Sequence, residues 1–190
     1  WTGLTSFSLQ IYFDFSAYSD IAVGLGMLFG IYLPFNFNSP YKSTSIIDFW
    51  RNWHITLSNF LKNYLYIPLG GNRKRKFNKY KNLFIVMVVG GLWHGANWNF
   101  VLWGGLHGVY LIINHIWRAL FSKKIEQNHV KIFLKRLFIF FLVSLAWVLF
   151  RTASFQDAIN FYKSIFCFNG ITLPKHYQEY LYDNDIIIDI

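Results

Sequence analysis

The sequence predicts an all-α fold: a polytopic bundle of transmembrane helices with an amphipathic interfacial helix and a possible re-entrant segment. Three observations carry this reading. First, 54% of the 190 residues are hydrophobic, 22% are aromatic and only 14% are Asp, Glu, Lys or Arg, where a soluble domain averages roughly 25% charged residues. Second, residues 82–117 contain no Asp, Glu, Lys or Arg and lie between Lys81 and Arg118. Third, Gly26/Gly30, Gly91/Gly95 and Gly104/Gly108 recur at four-residue spacing. That spacing lets helix backbones approach closely where lipid supplies no hydrophobic drive, and so favours a packed bundle over isolated anchors.

The same totals exclude other classes. A disordered chain carries few aromatics and much charge, and a disulfide scaffold needs more than the single Cys167. The net charge of +9 invites a nucleic-acid reading. The basic residues, however, sit beside apolar runs, as cytoplasmic flanks of membrane spans do. The lipid bilayer is the expected partner and nucleic acid is not. The chain opens at Trp1 with its first methionine at Met27, which reads as a piece of a longer protein, and it shows no cleavable signal peptide.

Residues 1–41 read as a membrane helical region interrupted by Asp14 and Asp20. Residues 45–64 form the best amphipathic helix. Ser45 and Asp48 make a capping-box signature, and Ile46, Trp50, Trp53, His54, Leu57, Leu61 and Tyr64 follow the 3.6-residue period. Such a helix lies along the interface and stops at Pro68-Leu69-Gly70-Gly71. Residues 73–81 read as a basic cytoplasmic loop. As one helix, 82–117 would reach about 54 Å, against about 30 Å of hydrocarbon. It must therefore bend, with the interruption at Gly95-Ala96-Asn97-Trp98-Asn99, giving two short spans or a span plus a re-entrant segment. Basic flanks on both sides place both ends in the cytoplasm. Residues 132–150 read as a further membrane helix, and 152–190 as an interfacial helix and tail broken at Leu173-Pro174.

Among the chemistry-bearing residues, His94 leads, because it falls deep within the uncharged run. An ionisable side chain there is a functional-site candidate facing the bundle interior, and burial would keep it neutral, the state a general base requires. The alternative is a neutral imidazole bonded to a backbone carbonyl. His54, on the apolar face of the amphipathic helix, supplies a second buried imidazole. Asp14 and Asp20 mark a polar path, as in a transporter or channel, or else cap helices and hold buried hydroxyls. A haem or metal reading of His94, His107 and His115 is weak. Thirteen residues put His94 and His107 about 140° apart on one helix, and His107 with His115 lacks a Cys or carboxylate neighbour. No metal or bound cofactor is expected. No Gly-x-Ser-x-Gly elbow occurs and Cys167 has no nearby His, so a base without a nucleophile points to direct transfer onto a bound acceptor. The glycines at 24–30 and 70–71 do not have the spacing of a dinucleotide or phosphate loop.

Four segments, in order, resemble the membrane-bound O-acyltransferase (MBOAT) superfamily: Tyr12-Phe13-Asp14-Phe15-Ser16-Ala17-Tyr18-Ser19-Asp20, Phe49-Trp50-Arg51-Asn52-Trp53-His54-Ile55-Thr56-Leu57-Ser58, Tyr64-Leu65-Tyr66-Ile67-Pro68-Leu69-Gly70-Gly71-Asn72-Arg73 and Gly91-Leu92-Trp93-His94-Gly95-Ala96-Asn97-Trp98-Asn99-Phe100. Trp147-Val148-Leu149-Phe150-Arg151-Thr152 extends the likeness, which is nearest to the bacterial alginate O-acetyltransferase membrane subunits. Ala17 and Thr56 depart from the usual Gly and Ser. The resemblance implies a multi-pass enzyme of the bacterial inner membrane, of which this is the C-terminal part, in a family about twice as long. It implies acetyl transfer from a cytoplasmic donor, acetyl-CoA, to hydroxyls of a cell-envelope or exported polysaccharide such as alginate, peptidoglycan or teichoic acid, with a periplasmic or extracellular partner protein. His94 matches the family's essential histidine and His54 its second. Trp93, Asn97, Asp14 and Asp20 become candidate substrate contacts, and His54, Asn97 or a Trp indole N–H candidate donors to the oxyanion.

Overall fold

The computed structural model describes residues 1–73, 76–121 and 128–166. Among these residues there are seven α-helices, two short helical turns and no strand. The first helix, α1 (Thr2–Leu28), runs unbroken through Asp14 and Asp20. It stops where Gly30 adopts φ +70°, with the Ile31 N–H donating to the Gly26 carbonyl (2.8 Å) and the Gly30 N–H to that of Met27 (3.0 Å). This is a glycine-dependent helix stop of the Schellman type. Gly26 and Gly30, expected to pair helices, instead end one.

The predicted amphipathic helix over 45–64 is broken in two. α2 (Ile46–Asn52) is capped by Ser45, whose hydroxyl accepts the Asp48 N–H (3.1 Å) as the sequence indicates. Trp53 is then extended, His54 is left-handed (φ 44°, ψ 56°), and α3 (Ile55–Leu61) starts afresh into a π-helical turn at Lys62–Tyr66. The break exists because residues 36–38 provide competing backbone partners. The Asn38 N–H donates to Asn52 O (3.0 Å) and the Ile55 N–H to Asn36 O (2.9 Å). The kink turns Trp53 into the core, where it is 4% exposed.

α4 (Lys76–Trp93) and α5 (Trp98–Leu120) form an antiparallel hairpin across the turn 94–97. The interruption thus falls within the predicted Gly95–Asn99 region. The basic segment is not all loop, because helix begins at Lys76 and takes in Lys79 and Lys81. No Gly or Pro follows Gly71 to prevent it. α6 (His129–Arg151) extends the predicted 132–150 helix at its start, capped by Asn128. α7 (Phe155–Ile165) opens with a reciprocal capping box between Ser154 and Asp157. The expected break at Leu173-Pro174 lies outside the described residues.

α5 and α6 are long and apolar enough to cross a membrane. Leu102, Val109, Ile113 and Trp117 on α5, and Phe133 and Phe138 on α6, are exposed. A soluble core helix would bury such side chains, whereas lipid accepts them. Their inner faces meet α2 and each other around Phe49, Trp53, Trp103, Val143 and Trp147. α1 is tied to α6 by the Ser8 and Ser144 hydroxyls (2.9 Å) and by stacking of Trp1 on Phe141.

Glycine sets the α4–α5 separation. A Cβ on Gly104 would strike the Met87 carbonyl, and one on Gly91 the Phe100 carbonyl, both rigid backbone. Gly105, one position on, has only ordinary side-chain neighbours, the nearest Phe84 Cζ at 3.6 Å. We therefore expect Gly104→Ala to destabilise the hairpin by about 1–3 kcal/mol, the usual cost of overpacking. Melting of the purified protein in detergent should show a clear drop for Gly104→Ala and little change for Gly105→Ala.

Candidate active site

His94 is the first residue after α4, and its backbone N–H donates to Gly91 O (3.0 Å), closing the turn that the helix no longer continues. Its ring stands edge-on to Trp103 (5.3 Å between centroids), Phe150 (5.0 Å) and Trp93 (5.0 Å), with Phe100 at 6.2 Å. α4, α5 and α6 thus each contribute walls. The ring is half-buried, and among the described residues neither ring nitrogen has a hydrogen-bond partner. The imidazole is held by aromatic faces and leaves its nitrogens for something else. The alternative of a histidine bonded to a backbone carbonyl as helix glue is not what the structure has.

His54 reaches the same place from the α2–α3 break. Its ring is T-shaped on Phe15 of α1 (4.7 Å) and lies 6.2 Å from Trp93, which stands between the two histidines. Asn36 fixes its tautomer. The Thr56 N–H (3.2 Å) and hydroxyl (2.6 Å) both donate to Asn36 Oδ1, so that oxygen is an acceptor, and His54 Nδ1 at 3.3 Å must donate to it. A neutral His54 therefore presents the lone pair of Nε2. Burial lowers its pKa to about 4, helped by the neighbouring His94 charge. Sequence reasoning passed over Asn36, because an Asn in an irregular segment carries no periodic signal.

Trp93 is exposed and bridges the two imidazoles. Asn97 is occupied structurally. Its Oδ1 caps α5 by accepting the Asn99 N–H (2.9 Å), and its Nδ2 donates to Ala153 O (3.2 Å). With Asn99, which donates to Thr152 O (2.9 Å), it ties the start of α5 to the α6–α7 link. Asp14 and Asp20 are exposed on α1 and make no hydrogen bond or ion pair among the described residues. Phe15, not Asp14, touches His54. The structure does not join the two carboxylates and His94 into one polar path.

His107 and His115 do not form a ligand pair. His107 is fully buried, and its Nδ1 accepts the Trp50 indole N–H (3.2 Å), which leaves the other nitrogen protonated in the neutral ring. His115 lies against Lys79 Nζ (3.2 Å). Trp103, which walls His94, also has a buried indole N–H without a partner among the described residues. Its type was anticipated, but its position was not, since one of eight tryptophans cannot be picked from spacing.

The family model of the MBOAT, membrane-bound O-acyltransferase family matches residues 1–156. A peptidoglycan O-acetyltransferase of Helicobacter pylori is 49% identical over 184 residues, covering 95% of this chain and 34% of that protein. A probable alginate O-acetylase AlgI of Pseudomonas aeruginosa is 45% identical over 175 residues, covering 92% and 33% respectively. A teichoic acid D-alanyltransferase of Streptococcus thermophilus is 33% identical over 138 residues, covering 69% and 33%. The matched part of the chain spans about a third of the length of each of these curated relatives.

The pair of imidazoles has a pH signature. His54 ordinarily titrates near 6.5, and its folded value is lower. The unfolded chain therefore binds the extra proton first, and the stability His54 contributes is present above about pH 6.5 and lost as pH falls toward 4. NMR of isotope-labelled histidines should place its midpoint at about 4. His94→Ala, which removes the neighbouring charge, should move that midpoint upward.

Proposed function

The chain belongs to the membrane-bound O-acyltransferase family, and from that premise we propose that it is the part of an inner-membrane O-acetyltransferase that carries the acyl-transfer base. The acceptor is a hydroxyl of a cell-envelope or exported polysaccharide, the class named for its relatives, alginate and peptidoglycan among them. The donor is a cytoplasmic thioester, acetyl-CoA, and an extracytoplasmic partner protein receives or presents the acetylated polymer. One observation supports this reading above the others: a half-buried imidazole with unengaged nitrogens, caged by aromatic rings, beside a second imidazole of fixed tautomer.

In the proposed reaction, His94 accepts the proton of the acceptor hydroxyl as its oxygen attacks the thioester carbonyl. The tetrahedral oxyanion collapses, the carbon–sulfur bond breaks, and the thiolate takes the proton back from His94. An ester and a free thiol result. A positioned base of this kind contributes typically 10²–10⁴-fold. His54, kept neutral by its surroundings, does not compete for the proton that His94 holds, and its Nε2 lone pair can accept a hydrogen bond from acceptor or imidazolium.

The oxyanion needs a donor, and the candidates are no longer equivalent. The Asn97 amide donates to Ala153, and the His54 Nδ1–H donates to Asn36. The indole N–H of Trp103 has no such engagement, and its ring is 5.3 Å from that of His94. Trp103 is the donor we favour; aimed at a developing charge in a water-poor site, one donor is worth about 2.7–4 kcal/mol.

In the full-length enzyme, His94→Ala should abolish thioester-dependent esterification of the polymer while the protein still inserts in the membrane. Trp103→Phe, which keeps an aromatic side chain but trades the indole and its N–H for a smaller phenyl ring, should lower kcat by roughly 10²–10³ with a smaller effect on KM. Unchanged ester content on the polymer in the His94→Ala strain would remove His94 from the role.

A further inference from the structure

α5 carries two ring N–H groups that the fold buries without giving either an acceptor. His107 is fully buried among the rings of Phe49, Trp50, Trp103, Tyr110 and Trp147. Its Nδ1 accepts the Trp50 indole N–H (3.2 Å), so its own proton sits on Nε2. That Nε2–H and the Trp103 indole N–H are both buried and have no partner among the described residues. The two residues are four apart on one helix, which places them on the same face one turn from each other. Their ring centroids are 5.0 Å apart.

A buried donor without an acceptor costs about 1–3 kcal/mol, and folded proteins leave few of them. Two donors in ring contact cannot satisfy each other, so the pair calls for an oxygen. The other unpartnered side-chain atoms of α5, Asn99 Oδ1 and Asn114 Oδ1, are acceptors that bond neither ring. The surroundings define which oxygen suits the place. The rings about the two donors carry no charge, so a resident anion would be buried without a counter-charge, which is costly. A carbonyl oxygen fits, because it is neutral until the carbon is attacked and gains charge only then. Trp103 also meets His94, at 5.3 Å between centroids, so the proposed base and the donor pair share one indole.

From this pairing we infer that His107, through its Nε2–H, is a second donor to the acyl carbonyl oxygen, held jointly with the indole N–H of Trp103. The inference rests on the acyl-transfer reading and adds a catalytic residue to it. As the acceptor hydroxyl attacks, the carbonyl π pair moves onto the oxygen and both hydrogen bonds strengthen, while neither ring gives up its proton. Collapse returns the pair to the carbon–oxygen bond and expels the thiolate. Trp50 acquires a role at one remove. By donating to Nδ1 it holds His107 in the tautomer that leaves Nε2 a donor.

Two substitutions separate this role from packing. In His107→Asn the amide lies near the Nδ1 position, so its oxygen can still accept from Trp50 but the Nε2–H is gone. In His107→Gln the amide lies near Nε2 and supplies an N–H there, while the bond to Trp50 is given up. In the full-length protein, with turnover followed by thiol release, His107→Asn should lower kcat by roughly 10²–10³ with a smaller effect on KM. His107→Gln should recover at least about tenfold of that loss. A packing role predicts the reverse order, and that order would overturn the assignment. A second measurement needs no change at 107. In the His94→Ala protein with isotope-labelled histidines, NMR should show the His107 Nε2 proton moving downfield with acetyl-CoA and not with coenzyme A, which lacks the carbonyl. Acetyl-CoA that binds, by calorimetry, yet leaves this proton where coenzyme A leaves it would remove His107 from the role and leave the acyl-transfer reading standing. Acetyl-CoA that does not bind at all would overturn that reading, and this one with it.

Discussion

The closeness of α4 and α5 is the constraint on which the rest depends. Lipid is as apolar as Leu, so a helix as apolar as α5 gains nothing there from hiding hydrophobic side chains from water, and association must come from van der Waals fit and polar contacts. Gly91, Gly104 and Gly108 remove the side chains that would hold the helix backbones apart. The hairpin that results fixes where its turn lies, and the turn carries His94. It equally fixes the distance between that turn and the basic end, where Lys79 and His115 meet. A looser hairpin would lose both at once.

The second determinant is a helix that refuses to stay continuous. A non-glycine residue in the left-handed region costs about 1–3 kcal/mol, and His54 occupies it. The cost is offset by Asn36, whose carbonyl oxygens on backbone and side chain accept from Ile55, Thr56 and the His54 ring itself. Had 45–64 formed one regular helix, His54 would follow Trp50 and Trp53 along a single stripe and could not turn aside to meet Trp93. The strain therefore points at the ring it presents, which is the direction such an inference properly runs.

What the sequence disclosed divides along physical lines. Helix existence came from apolar runs and caps, so the Ser45 cap, an interruption within Gly95–Asn99, and the long segments before and after it were legible. Features made by contact were not. Gly26 and Gly30 have the spacing of Gly104 and Gly108, yet one pair ends a helix and the other packs two, because the outcome depends on which residues surround each glycine in space. Period alone carried 45–64 through as one helix, since the residues that break it, Asn36 and Asn38, are distant in sequence. His94 and His54 were identifiable individually and by resemblance, whereas Asn36 as the holder of a tautomer and Trp50 on His107 required coordinates.

Aromatic abundance acquires a specific meaning in this setting. Between His54 and His94 stands Trp93, and beyond His94 the rings of Trp103, His107 and Trp50 continue in contact, with Arg51 adjoining the last of them. Aromatic rings are rigid, lose little entropy on burial and present flat faces that fix neighbours at set angles. An imidazole bonded to carboxylates or carbonyls would have its nitrogens committed, whereas one held by ring faces and edges keeps them available. A site that must keep a base both immobile and unoccupied in a medium poor in water is therefore well served by tryptophan and phenylalanine walls. The composition that marks the chain as membrane-borne and the surroundings that hold His94 are then one property, seen first along the sequence and then around a single ring.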